Sequence, residues 1–426
     1  MNKGLDRRQL LRLAAGLGGA AMSAHLYAAP RSGPRFLLVF MRGGYDAANL
    51  LIPFGSDFYY EARPTIAVAR PSPDAQGTGA VGALALDGDW ALAPAVRDTL
   101  GQLYRQRQLA FVPFAGTEDL SRSHFETQDS IELGQPLGGV RDYRSGFLAR
   151  LASVLGSRGV AASPIAFTDA LPLSFAGPAP VQNLSLRRID RGVFDDRQSR
   201  ILAQMYAGTP LQTAVEDGFA LRTQVAAEMA DMPSAGAAGG GGVGAQRLSA
   251  EMLAAGRNAA SGSALALAAE RMARLMRDDY RIGFVDVGGW DTHVNEGGAE
   301  GALATNLAGL GRGLTAFAEA LGPDWRDTVV VVLSEFGRTF RENGDRGTDH
   351  GHGSVYWVLG GAVAGGRIAG AQQRVARETL FQDRDYPVLN DYRALLGGLF
   401  RSLWQLSPAD CARVFPGVQP QDLKLV

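Results

Sequence analysis

The chain has 426 residues, nearly balanced charge (42 Lys and Arg against 43 Asp and Glu) and one cysteine, Cys411. That length buries a large core as one big α/β domain or as two domains, and a near-neutral chain without a basic block excludes the usual nucleic-acid binders. A lone cysteine excludes an internal disulfide and a thiolate metal cluster.

The first element is a leader, residues 1–29. Asp6-Arg7-Arg8-Gln9-Leu10-Leu11 sets paired arginines ahead of an Ala/Gly/Leu-rich apolar run that ends near Ser23. This is the layout of a twin-arginine export signal, with cleavage expected after Ala28 or Ala29. It makes the twin-arginine export machinery a partner and the periplasm, or secretion, the destination. The leader carries Lys3, Arg7, Arg8 and Arg12 against Asp6, so without it the formal charge of −1 becomes −4. No later stretch reaches the roughly 18 unbroken apolar residues of a membrane span, so residues 30–426 are expected to hold no stable one.

Six short apolar runs follow: Phe36–Met41, Leu109–Phe114, Pro164–Thr168, Arg281–Val287, Thr328–Leu333 and Val355–Leu359. Continuous apolar runs of this length mark strands buried on both faces. A helix is expected from about His124. Another is expected over Ala302–Leu321, where Leu307, Leu310, Leu314, Phe317 and Leu321 recur at helical spacing. Strands alternating with helices predict an α/β fold with a doubly wound, mostly parallel sheet flanked by helices. Residues 170–280 break that rhythm and are expected to form an inserted helical cap. Its Gly-rich stretch 234–244 reads as a linker; no strand precedes it and no Gly-Lys-Ser/Thr follows, so it is not a phosphate loop.

In such sheets, sites collect at the carboxyl ends of the strands. Beyond His25 in the leader, the histidines are His124, His293, His350 and His352, and all lie in polar, Gly-rich segments between the apolar runs. That placement favours metal ligation or proton transfer over packing. Glu335 ends a buried strand, and Asp349-His350-Gly351-His352 follows, with glycines that let both imidazoles turn toward one ion. Asp291 and His293 share a face of extended backbone. Asp46, beside Gly43 and Gly44, is either an oxygen ligand or an Asx-turn residue. Carboxylates mixed with imidazoles suit Zn, Mn or Fe better than Ca, so the expected ligands are Asp46, Asp291, His293, Glu335, Asp349, His350 and His352. Arg338 and Arg341 are candidate anion clamps, the first at the reacting group and the second for substrate binding. Ser123, with Glu126 three residues on, forms a capping box or serves as a nucleophile at a helix N-terminus with His124 beside it.

Arg42-Gly-Gly-Tyr-Asp46, Ser121-Arg-Ser-His-Phe-Glu-Thr-Gln128, Gly289-Trp-Asp-Thr-His293, Ser334-Glu-Phe-Gly-Arg-Thr339 and Thr348-Asp-His-Gly351 together resemble the exported bacterial family called domain of unknown function 1501. That family is grouped with the alkaline phosphatase-like superfamily, and the resemblance implies a doubly wound α/β fold with a two-metal site. It implies that Asp46 is the first-strand metal aspartate, Ser123 the nucleophile, and Asp291 with His293 a metal pair at closer spacing than usual. Glu335 and Phe336 stand where the superfamily has Asp and His, and His350 or His352 matches its last metal histidine. A phenyl ring cannot ligate, so one of those two histidines is expected to take over from Phe336. The expected function is an exported metal-dependent hydrolase of phosphate or sulfate esters with one or two divalent ions. The alternatives are a non-catalytic binding or assembly protein at the cell envelope, and a single-metal hydrolase acting on a glycan.

Overall fold

A computed structural model describes residues 33–72, 82–185, 196–209 and 256–426, with isolated positions from 212 to 218. The expected leader at 1–29 and the Gly-rich linker at 234–244 lie outside the described residues.

The first strand, β1 (Arg35–Met41), is buried along its whole length. Its alternate residues feed two cores, as the two-residue period of a strand requires. Leu37, Val39 and Met41 join one apolar cluster; Phe36, Leu38 and Phe40 join the other. Short strands β2 (Leu51–Ile52), β3 (Leu84–Ala85) and β4 (Ala91–Leu92) form a small separate antiparallel sheet. The main sheet continues with β5 (Leu109–Gly116), β6 (Pro164–Phe167), β7 (Gln182–Asn183), β8 (Ile282–Val287) and β9 (Thr328–Ser334). It is completed by β10 (Ser354–Leu359), β11 (Arg367–Ile368) and β12 (Asn390–Asp391). Its order is β11-β5-β10-β9-β1-β8-β6-β7, with β12 also on β5. Every pairing is parallel except the two made by β10.

Helices cover both faces. α1 (His124–Leu133) starts after the β5 loop, and α2 (Phe147–Ser157) packs on the Phe36 side. α3 (Gly262–Asp278) and α4 (Ala302–Leu321) pack on the Leu37 side; α5 (Tyr392–Trp404) returns to the Phe36 side. The chain is thus α/β, with a mostly parallel sheet between helical layers. The expectation of a helical cap over 170–280 needs correction at both ends. β7 is a strand of the main sheet, and α3 lies in the sandwich against α4. A Cβ on Gly262 would sit 2.6 Å from the Leu310 nitrogen, so the two backbones touch and helical packing there depends on glycine. The longest described helix between those ends is Asp196–Tyr206.

Register places the site. Met41 lies opposite both Val287 and Ser334, so β8, β1 and β9 end at one level. Because β10 runs the other way, its first residue, Ser354, sits at that same edge. The loops after β1, β8 and β9 and the loop into β10 therefore meet there. Among the described residues, no helix is long and apolar enough to cross a membrane.

Candidate metal centre

Glycines let these loops close on one another. Gly44 has φ +61, and a Cβ on it would overlap the Phe336 ring. A Cβ on Gly351 would overlap the Arg338 backbone.

Asp291, after β8, is the hub. Its Oδ1 is 2.9 Å from His293 Nε2 and 3.1 Å from His350 Nε2, and its Oδ2 is 3.6 Å from His124 Nε2. The Nε2 atoms of His293 and His350 are themselves 3.1 Å apart. Each ring is held from behind by an oxygen. His124 Nδ1 donates to Glu335 Oε1 at 2.8 Å, His293 Nδ1 to Asp349 Oδ1 at 3.3 Å, and His350 Nδ1 to the Arg122 carbonyl at 3.1 Å. Carboxylate and carbonyl oxygens only accept, so Nδ1 carries the proton and each Nε2 lone pair turns toward Asp291.

That arrangement fits a cation. Two Nε2 lone pairs facing each other repel unless a proton or an ion lies between them. The buried Nε2 of His124 has no hydrogen-bond partner among the described residues. A tetrahedral site with bonds of about 2.0–2.1 Å spaces its ligand atoms by about 3.3 Å, close to the separations here. His124, Asp291 and His350 form a group able to hold an ion, and His293 stands beside the same Asp291 oxygen. Imidazoles with one carboxylate suit Zn, Mn or Fe. Side-chain exposures of 33% at His293 and 26% at His350 leave the hub open to solvent on their side.

The electrostatics agree. Burial opposes the charge of Asp291, but the facing imidazoles of His124, His293 and His350 and the Arg338 charge hold it far below the usual carboxylate range. Burial also disfavours a charged His124, yet Asp291 and Glu335 outweigh it and push its pKa up to about 9. Burial disfavours the Glu335 charge too, but His124 and Gln128 bring it down to about 2. A histidine raised from about 6.5 adds stability that is complete below pH 6.5 and lost by about pH 9, on the order of 3 kcal/mol. The melting temperature of the chelated chain is therefore expected to fall between pH 6.5 and pH 9. With metal the fall should vanish, because the ion replaces the proton. Thermal scans across that range check this; equal slopes with and without metal would count against the site.

Other expected site residues take different places. Glu335 is no ligand. Its Oε1 accepts from His124 and also, at 2.8 Å each, from the Gly43 nitrogen and Gln128 Nε2; its Oε2 accepts from Ser334 Oγ at 2.9 Å. With both oxygens engaged, it orients His124. Asp349 is half-exposed and orients His293 in the same way. Asp46 adopts the turn role: it accepts from the Ala48 nitrogen and is forked by the buried Arg63, away from the cluster. His352 packs on Phe381 at 4.9 Å, and burial and the Arg122 charge lower its pKa to about 4. Arg338 is not an open anion clamp. It donates to the carbonyls of Gly43, Gly44, Trp290 and Thr348 and to Asp291, fastening the site loops together. Arg341 lies outside, over the Phe58 ring and near Asp383. Ser123 holds the N-cap position of α1, but its hydroxyl makes no capping hydrogen bond. Phe336 packs against His124 and His350 at 4.9 and 5.0 Å.

Sequence reasoning missed Gln128 and Arg42 as supports. Gln128 donates to Glu335 and accepts from Arg42 Nη1 at 2.9 Å, and Arg42 is paired with Asp286 and Glu132. The four-residue step from His124 to Gln128 on one helix face was the available signal. It missed Glu296 and Arg63 as well, which sit in segments without periodicity.

A family model described as "Protein of unknown function (DUF1501)" matches residues 34–414. No curated protein sequence matches the chain. Among solved structures, similarity extends to a protein in the alkaline phosphatase superfamily from Vibrio parahaemolyticus, at 10% identity and a TM-score of 0.32. That match covers 77% of this chain and 60% of the other. Ps i-CgsB in complex with k-i-k-neocarrahexaose is 9% identical with a TM-score of 0.35, covering 91% and 73%. Alkaline phosphatase from the Antarctic bacterium TAB5 is 13% identical with a TM-score of 0.29, covering 77% and 92%. At such scores the α/β assignment rests on the sheet itself.

Proposed function

The chain belongs to the DUF1501 family, and from that premise we propose that it is an exported metal-dependent hydrolase acting on phosphate or sulfate esters. One observation carries the reading: the Asp291 carboxylate ringed by the Nε2 atoms of His124, His293 and His350, each ring fixed from behind by an oxygen. His124, Asp291, His293 and His350 would hold a divalent Zn, Mn or Fe ion, which would supply Lewis-acid chemistry to an ester oxygen and to water. Asp291 gathers the imidazoles and, with Arg338 behind it, stays ionised. Glu335, Asp349 and the Arg122 carbonyl hold the tautomers. Ser123, at the start of α1, puts an uncapping hydroxyl beside His124, where the positive helix end favours developing negative charge. Phe336 keeps water from one flank of two imidazoles. Export follows from the paired arginines Arg7 and Arg8, and crossing the membrane folded suits a protein that takes its metal first.

Release of phosphate or sulfate from a panel of small monoesters tests the proposal. Release is expected, lost on chelation and restored by Zn, Mn or Fe. A metal-loaded chain inert to the whole panel, whose Ser123→Ala variant keeps its role in the cell, would favour a binding or assembly protein at the envelope. The Phe336 ring on the imidazoles and the committed donors of Arg338 are the features that speak for that second reading.

A further inference from the structure

Beside the metal centre lies a second buried polar compartment, built from Asp46, Arg63, Glu296, Thr292 and Thr348. By donor type, two carboxyl groups and two hydroxyls make a hard-oxygen cation site. We infer that this compartment never takes a metal: Arg63 is its permanent cation, and the described residues hold a single divalent ion. The inference rests on the metal reading above.

Asp46 and Glu296 are 1% and 0% exposed, and Arg63 is 0% exposed. Arg63 meets Asp46 with both terminal nitrogens, Nη1 on Oδ2 and Nη2 on Oδ1 at 2.9 Å. Its other hydrogen bonds go to the Phe340 carbonyl at 2.7 Å, Asn49 Oδ1 at 3.1 Å and the Thr339 carbonyl at 3.2 Å. A planar fork matched to a carboxylate in this way is pre-organised and never loses its proton. A metal would have to take the same Asp46 oxygens and leave the guanidinium buried without its anion.

Charge closes the compartment. Burial opposes the Asp46 charge, but Arg63 outweighs it and keeps the carboxylate ionised. Burial and the Asp46 charge push Glu296 well above the usual carboxyl range, which favours its neutral form. The Arg63 guanidinium and the Asp46 carboxylate already balance each other in direct contact.

The compartment still serves the metal centre. Glu296 Oε2 accepts from Thr292 Oγ1 at 3.0 Å and from Thr348 Oγ1 at 2.7 Å. Thr292 directly precedes His293, and Thr348 stands two residues before His350. One oxygen therefore ties together the two loops that carry the partly exposed imidazoles, and Asp46 and Arg63 adjoin it.

Metal stoichiometry of the full exported chain decides the matter. Protein saturated with Zn or Mn, freed of excess by gel filtration, is measured by elemental mass spectrometry. The wild type, Glu296→Gln and Asp46→Asn chains are each expected to retain one equivalent, and His350→Ala none. Glu296→Gln keeps an acceptor for both threonines, so it stays informative if Asp46→Asn folds poorly. Two equivalents in the wild type overturn the inference and leave the metal centre standing; loss of one of them in Glu296→Gln would place it in this compartment. No metal at all in the wild type overturns the metal reading and this inference together.

Discussion

Asp291→Asn is expected to lower affinity for the divalent ion by about 10²-fold or more. A four-ligand zinc site is worth about 10–16 kcal/mol, so one ligand accounts for about 3 kcal/mol, or about 10² in affinity. The residue is singular because one carboxylate faces three Nε2 lone pairs. An amide there would turn a donor toward at least one of those lone pairs and would lose the pairing with Arg338. Asp349→Asn is the control. It touches His293 only from outside, so the expected loss is about 10- to 100-fold. Competition with a chromogenic chelator measures both, with circular dichroism to confirm folding. Wild-type affinity in Asp291→Asn would remove this carboxylate from the centre, and a greater loss in Asp349→Asn would reverse the two roles. Ester hydrolysis should fall in step with metal occupancy.

Arg63→Met should cost about 3–5 kcal/mol of stability, the penalty for breaking a buried ion pair and stranding one charge. Asp46 would keep a charge that burial opposes, and the carbonyls of Thr339 and Phe340 would lose a donor. Adding Asp46→Asn to Arg63→Met removes the stranded charge and should return a large part of the loss, because neighbouring groups couple strongly. Urea unfolding of the two single variants and the double variant closes the cycle. A change under about 1 kcal/mol in Arg63→Met would show a pair no stronger than a surface salt bridge.

The architecture was largely legible because it rests on local patterns. All six apolar runs are strands, the helix expected over Ala302–Leu321 has those bounds, and a helix begins at His124. Burial on both faces writes itself into each strand as an unbroken apolar run. The short β7 left no such mark, and the α3 pattern alone could not say whether it faced a cap or the sheet. Its apolar face in the Leu37-side core and its glycine contact with α4 put it in the sandwich.

Local pattern alone marked where chemistry could gather: histidines and carboxylates in Gly-rich segments at strand ends, which a parallel sheet brings to one edge. Long-range contacts sort the candidate ligands at that edge from the residues that stand behind them. Asp291, His293, His350 and His124 converge, Glu335 and Asp349 steer them from outside, and Asp46 and Arg338 are consumed by buried pairing. The difference is one of range. Burial and turn preferences act among near neighbours and are written in local pattern. Ligand and orienting residue differ by which oxygen faces which nitrogen at about 3 Å, and here those atoms come from residues as far apart as His124 and Glu335. Their meeting depends on strand order and register, the alignment of Met41 with Val287 and Ser334, which no short stretch of the chain contains.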